Sequence, residues 1–345
     1  INSVSDYKDT INDKRLNIIE KIIRMKKFTL KNIVRSKLDN VKELSLKIRK
    51  WINSDKIPNL IDINNKNGVY FYEFDEKIDS DWFNKFIYFQ KKNVCSIILT
   101  WTNEQSNIYN KTIRNILFNK KDIKKFMKDD LLMLTDYYSL DLSDNPLDNT
   151  FYTSDQVIVH ETEVTNYKLN NFSFNTNKSI QSLKFYMKIE ILTLEFVSNL
   201  NKFINDFNLK CWNLCVKKIG NDDKFNLIRV IHEEFIEKFN IFKNNVSNSI
   251  IEFSNNIIRK YSDCDKSLKK FIIKPLWKQW HSILINPFAN VNYGYSISCH
   301  KSQGSNFYNV FVDMDDILKN NRENEYKKCI YTAITRTINE VHVLI

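Results

Sequence analysis

Residues 94–101 read VCSIILTW, a continuous apolar run of strand length, and residues 103–118 follow it with helical spacing. An apolar run without polar alternation suits a strand buried on both faces. Strands of that kind belong to parallel sheets covered by helices above and below. A strand–helix unit that begins near residue 94 therefore constrains the chain to an α/β architecture. The same style returns at 289–345, where YGYSIS, NVFVDM and EVHVLI are strand-like and a helix is expected around 325–334.

What lies between breaks that rhythm. Residues 131–195 hold LLMLTDYYSLDL, DQVIVHETEV, FSFNT and SLKFYMKIEILTLEF, separated by Asn, Asp and Ser turns. That pattern predicts a small antiparallel β module. Residues 197–285 carry long stretches without Gly or Pro and are expected to be helical. Ahead of the first unit, 11–29 and 39–52 read as amphipathic helices, VYFYEF (69–74) as a strand and 80–91 as a helix. These shifts divide the chain into 1–93, 94–129, 130–196, 197–285 and 286–345, the third and fourth segments being inserted into one α/β domain.

With 43% apolar and 13% aromatic residues the chain can build cores, which excludes a disordered protein despite its many Asn and Lys. Net charge is +11. An excess of Lys and Arg favours a polyanionic partner, because neutralised phosphates release their counterions; a solubilising surface would look the same. Six cysteines are scattered and none forms a CxxC pair. Cys211 and Cys215 lie four apart in a stretch expected to be helical and so share a face. Without a second Cys or His pair at ligand spacing they read as packing, and no metal site is assigned. Reduced thiols point to an intracellular setting, with nucleus, cytoplasm and viral factory left open. No apolar run reaches the ~18 residues of a membrane-spanning helix. The first residue is Ile, from which a fragment or a processed product is expected.

The chain has only four glycines, and one of them, Gly304, stands in HKSQGS (300–305) between two strand-like pieces. In an open α/β sheet, ligands bind at the carboxyl ends of the strands. Ser, His, Lys, Gln and Gly at such an end offer hydroxyls, amides, a cation and close backbone approach, groups that suit phosphate oxygens. A plain turn with a loop glycine would read the same way in isolation.

SISCHKSQGSNFYNVFVDM (296–314) resembles motif V of superfamily 1 helicases, and CIYTAITRT (329–337) followed by NEVHVLI resembles their motif VI. FTLKNIVRSKLDNVKELSLKIRKWI (28–52) is similar to their arginine-bearing segment that begins a helix. SIILTWTNEQSNIYNKTIR (96–114) is similar to the strand–Thr-Asn–helix segment that opens their second RecA-like domain. The HKSQG wording leans toward the RecD-like branch, which includes the Dda-type phage helicases. The resemblance implies a RecA-like parallel-sheet domain carrying an inserted small β-barrel and a helical subdomain. Residues 1–93 would be the end of a first motor domain with a linker.

The resemblance also implies roles. Arg336 would be the arginine finger on the γ-phosphate of ATP and Arg35 a second catalytic arginine, since a guanidinium forks onto phosphate oxygens. Gly304 and Gln303 would edge the ATP cleft. Ser298, His300, Lys301 and Ser302 would line the track of a single strand, and Thr102 and Asn103 would touch its backbone. Ser298 stands where threonine is common, and Asn306 where many relatives carry glutamate, which puts a ribose contact there in doubt. Trp101, Phe307 and Tyr308 are expected in core packing more than in base stacking.

No G-x-x-x-x-G-K-[ST] occurs in the chain. VYFYEFDEK (69–77) is not taken as the acidic magnesium-binding strand, because it follows the arginine-bearing segment instead of preceding it. The expectation is therefore the C-terminal part of an ATP-dependent DNA helicase, moving 5′ to 3′ on single-stranded or forked DNA. ATP and Mg2+ would be held mainly by a missing N-terminal motor domain, and replication or recombination proteins are possible partners. A non-catalytic nucleic-acid-binding module and the motor subunit of a RecD-type exonuclease complex stay open as alternatives.

Overall fold

The computed structural model describes residues 36, 38–54, 56–58, 67–119, 123–140, 150–174, 181, 185–220 and 224–345. The helix expected at 11–29 and Arg35 lie outside these residues. The chain runs through helix α1 (Asp39–Ile52), strand β1 (Val69–Tyr72), helix α2 (Asp81–Lys91), strand β2 (Ser96–Thr100) and helix α3 (Asn103–Phe118). Strands β3 (Leu131–Leu134), β4 (Tyr138–Ser139), β5 (Thr150–Phe151) and β6 (Gln156–Tyr167) follow, then helix α4 (Tyr186–Asn205). Next come β7 (Leu209–Lys218), β8 (Phe225–Ile231), α5 (Ile236–Lys260) and α6 (Lys274–Leu284). The last part holds β9 (Val291–Tyr293), β10 (Ser296–Ser298), β11 (Phe307–Asp313), α7 (Met314–Leu318), α8 (Glu323–Ile334) and β12 (Thr337–Leu344).

β2 lies inside a wholly parallel sheet of order β1-β12-β11-β2-β10. Its sequence lacks alternation because both faces are covered. Ile97 and Leu99 pack with Val41, Leu44 and Ile48 of α1 and with Ile330 and Ala333 of α8. Ile98, pointing the other way, packs with Trp82, Phe83 and Phe86 of α2 and with Tyr109 and Ile113 of α3. Each buried aliphatic side chain contributes about 1.5–3 kcal/mol, against a few tenths for a typical propensity difference, so burial decides the fate of this run. Polar caps place the helix starts: Ser80 Oγ accepts from Phe83 N at 3.2 Å and Thr102 Oγ1 from Gln105 N at 3.1 Å.

The sheet corrects one expected boundary. β1 pairs in parallel with β12, Val69 opposite Val341, and α1 packs on α8. The described residues between 39 and 93 therefore belong to the same α/β unit as 94–118, and the break expected at 93/94 does not separate two domains.

The inserted part is an antiparallel sheet of order β8-β7-β6-β3-β9, with the small β4–β5 ladder beside it. Trp212, Leu214, Val216, Val157, Val159 and Leu132 fill its core. Its edges approach where Ala289 N donates to Arg229 O at 2.7 Å, but among the described residues no ladder joins β8 to β9. Two sequence expectations fail here. β7 (Leu209–Lys218) and β8 (Phe225–Ile231) lie within the stretch expected to be helical, and Cys211 and Cys215 are on β7. Residues 186–196, in a run expected as a strand, belong to α4, whose buried Ile189, Thr193, Val197, Leu200 and Ile204 follow the helical period. α4, α5 and α6 share a further core that includes Phe239, Phe242, Val246 and Leu276.

Arg114 of α3 ties the two sheets together. Its Nε and Nη2 donate to Asp130 at 2.8 and 2.9 Å, and its Nη1 to Tyr293 Oη at 2.8 Å.

Candidate functional site

At the carboxyl end of β2 the chain turns through Trp101 and Thr102 into α3, and one carboxylate fixes that turn. Asp316 of α7, 2% exposed, accepts from Trp101 N and Thr102 N at 2.8 Å each and from Thr102 Oγ1 at 3.1 Å. Asp313, the last residue of β11, caps α7 by accepting from Asp316 N at 3.0 Å. It also accepts from Tyr109 Oη and from Lys77 Nζ at 2.8 Å each, while Lys77 pairs with Asp315 at 2.8 Å. Burial works against the Lys77 ammonium, but hydrogen bonds to Asp313 and Asp315 outweigh it and hold the pKa above its ordinary value. The same lysine holds Asp315 below the usual carboxylate range. Burial, then the Asp313 charge, push the Tyr109 phenol far up, so it stays a donor.

The crossover from β10 to β11 begins at the same end of the sheet. Cys299 N donates to Thr100 O at 2.7 Å, and the His300 ring lies 4.9 Å from that of Trp101. Residues 299–306 then pass through consecutive turns to the start of β11, with Cys299 and Phe307 both packed in the core that α1 and α8 share. At the far end Ser305 O accepts from Arg336 Nη1 at 3.3 Å, and Phe307 N donates to Arg336 O at 2.9 Å. Arg336, just past α8, also donates its Nε to Thr332 O at 3.3 Å and is half-buried.

The residues singled out in the sequence therefore fall into two groups, not one. Thr102, Asn103, Ser298, His300 and Lys301 gather at the carboxyl ends of β2 and β10. Gly304, one residue before Ser305, and Arg336 lie toward the amino end. His300, Lys301, Gln303, Gly304 and Asn103 are exposed. Ser302 is not available to a ligand: it is 0% exposed and its Oγ donates to Cys299 O at 2.7 Å, so it stiffens the crossover. Ser298 is buried and receives Lys301 N on its carbonyl at 2.9 Å. Gly304 has φ +91°, and nothing lies within 4 Å of where a Cβ would stand, so backbone conformation and not crowding demands glycine. Phe307 is buried, Trp101 packs partly on the core, and Tyr308 is exposed.

Sequence reasoning passed over Asp313, Asp316 and Lys77. The signal was present in VDMDD, a cluster of acids at the end of a buried strand, where α/β sheets place their polar machinery. Beside the Thr102 turn lies a polar groove of about 120 Å³ walled by Asn103, Asn107, Lys125, Tyr293 and Lys301. Ser296, whose buried Oγ has no hydrogen-bond partner among the described residues, also lines it.

The described residues expected at an ATP site gather along one edge, where Arg336 already donates to Thr332 O and Ser305 O. Arg336 beside exposed Gly304 and Gln303 is a donor set suited to phosphate oxygens. Among the described residues no group of three or more His, Cys, Asp or Glu side chains is placed to hold a metal ion.

Residues 293–344 match the family described as the UvrD-like helicase C-terminal domain. That stretch spans β10, the crossover, β11, α7, α8, Arg336 and β12, all on or against the parallel sheet. Over 333 residues the chain is 32% identical to uncharacterized protein R530 of Acanthamoeba polyphaga mimivirus, covering 92% of this chain and 62% of that protein. The chain thus spans less than two thirds of the length of that relative. The crystal structure of Pif1 helicase from Candida albicans superposes with a TM-score of 0.39 at 12% identity, over 93% of this chain and 57% of that one.

Proposed function

We propose that this chain is the C-terminal motor half of an ATP-dependent DNA helicase of the RecD- and Dda-like branch, moving 5′ to 3′ along single-stranded DNA. The observation that carries the reading is the contact of Arg336 Nη1 with Ser305 O. It joins the segment resembling motif VI to the one resembling motif V, within the stretch that matches the helicase family.

In this reading ATP sits between the amino end of the parallel sheet and a P-loop-bearing half, and it supplies phosphoryl transfer to water with Mg2+ spreading the charge. Arg336 presents its guanidinium to the phosphate oxygens, with Arg35 as its second. Thr102, Asn103, His300 and Lys301 hold the strand backbone at the opposite end. Backbone contact implies weak sequence preference. The 345-residue chain has no P-loop of its own and hydrolyses no ATP alone.

The test is the full-length protein with Arg336→Ala. Unwinding should fall by roughly 10³-fold or more, the usual worth of an arginine finger, while affinity for a single strand stays within about twofold of wild type. Unwinding at the wild-type rate would overturn the assignment of Arg336. A gene that encodes no P-loop half would leave a binding module in place of a motor.

A further inference from the structure

Two exposed tyrosines stand on the inserted sheet, one of them on a turn bonded to the crossover. Tyr137 is 63% exposed and Tyr152 61%, and their rings meet edge to face with centroids 5.9 Å apart. An edge-to-face pair engages the edge of one ring and leaves its faces open to a further flat partner.

The turn that presents Tyr152 is rigidly held. Tyr152 N donates to Asp155 Oδ2 at 2.9 Å, and Asp155 N to Tyr152 O at 3.0 Å. Lys218 of β7 donates to the same carboxylate at 3.0 Å and to Thr150 O at 2.6 Å. Ser154, at φ +72°, donates its N to Leu134 O at 2.8 Å and its Oγ to Lys301 O at 3.3 Å. Lys301 is thus shared. Its backbone anchors the tyrosine turn, and its residue lines the polar groove that opens at Asn103.

We propose that Tyr137 and Tyr152 form a base-stacking platform for single-stranded DNA, continuing the track that starts at the Thr102 turn. The inference rests on the helicase reading and extends its binding surface onto the inserted sheet. Charge and shape favour a single strand over other partners. Lys218 Nζ stands 6.0 Å from the Tyr152 ring, Lys301 and Lys125 wall the groove that the Tyr152 turn adjoins through Lys301, and the chain carries a net charge of +11; only unpaired bases offer free faces to stack. Pre-ordered rings lose little freedom on binding, so stacking contributes nearly its full worth.

The experiment measures binding of the 345-residue chain to a short oligothymidylate and to the same oligomer made abasic. Tyr137→Ala/Tyr152→Ala should bind oligothymidylate about tenfold or more weakly, the scale of base–aromatic stacking, and should bind the abasic strand as wild type does. Tyr137→Phe/Tyr152→Phe should keep wild-type affinity. Both rings are largely exposed, and an unchanged thermal midpoint checks the fold. Equal binding by wild type and the double alanine variant overturns the platform and leaves the helicase reading standing. An equal loss on both oligomers also overturns it. If wild type fails to bind oligothymidylate at all, the helicase reading falls and the platform with it.

Discussion

His342 shows how much one buried side chain can dictate. It is 1% exposed in the middle of β12, stacked on Phe311 at 4.2 Å and on Tyr70 at 4.9 Å. Its Nδ1 meets Tyr72 Oη at 2.9 Å and its Nε2 meets Glu340 at 3.2 Å. Burial, opposed by Glu340, sets its pKa below the ordinary value, while the hydrogen bond from His342 sets Glu340 below the usual carboxylate range. Unfolded histidine titrates near ~6.5. As pH falls below that, the unfolded chain takes the proton before the folded one, so stability drops until the folded pKa is passed. Glu340 adds a second loss as pH falls below ~4.3, because its folded form resists protonation. The urea midpoint should therefore fall between pH 7 and pH 5.5. His342→Phe, which keeps the stack, should flatten that slope; an unchanged slope would rule out His342 as its source. At this scale the sequence was informative about identity and silent about direction. HKSQGS drew attention to the right loop, yet only the fold turns Ser302 inward and leaves His300, Lys301 and Gln303 out.

Among elements, the junction of α3 with the inserted sheet bears the most on function, because it sets the groove beside Thr102. Arg114 and Asp130 are both buried there. Losing one partner of a buried pair leaves the other charge uncompensated, so Arg114→Ala should cost about 3–5 kcal/mol in denaturant unfolding. Arg114→Ala/Asp130→Ala should cost less than the sum of the two single changes. Elements were legible where one period stood alone. β2, α3, α1 and α2 lie where their patterns placed them. β7 was not legible, because Cys211 and Cys215, four apart, share a face in a helix and in a strand alike, and no Gly or Pro marks the run Leu209–Lys218. α4 was misread for the converse reason. Its aromatic and β-branched residues favour a strand, and its helical period shows only in the choice of Ile189, Thr193, Val197 and Leu200 for burial.

The whole molecule is set by pairings that no local pattern contains. β1 meets β12 across nearly the full chain, and β10 returns to β2 after the entire insertion. For that reason the boundary at 93/94 was misplaced, while the order of strand and helix around β2 was not. The net charge of +11 also acts at this scale. Affinity for a single strand should fall linearly in log–log form with salt, by about 0.7 for each phosphate held, and should depend little on base sequence. A slope near zero would mean that the excess lysines serve solubility alone.

Residues 299–306 are anchored at Thr100 on one end and at Arg336 on the other, with Ser302 buried between and bonded back to Cys299 O. Such a strut has little slack to absorb a displacement. On the proposed reading, a nucleotide that draws Arg336 toward itself tugs on Ser305, and the movement reaches His300 beside the strand. Equilibrium then imposes symmetry: whatever factor the nucleotide applies to the grip on DNA, DNA applies to the grip on the nucleotide. The two ligands would share one account of strain, and neither would load without altering the other's hold.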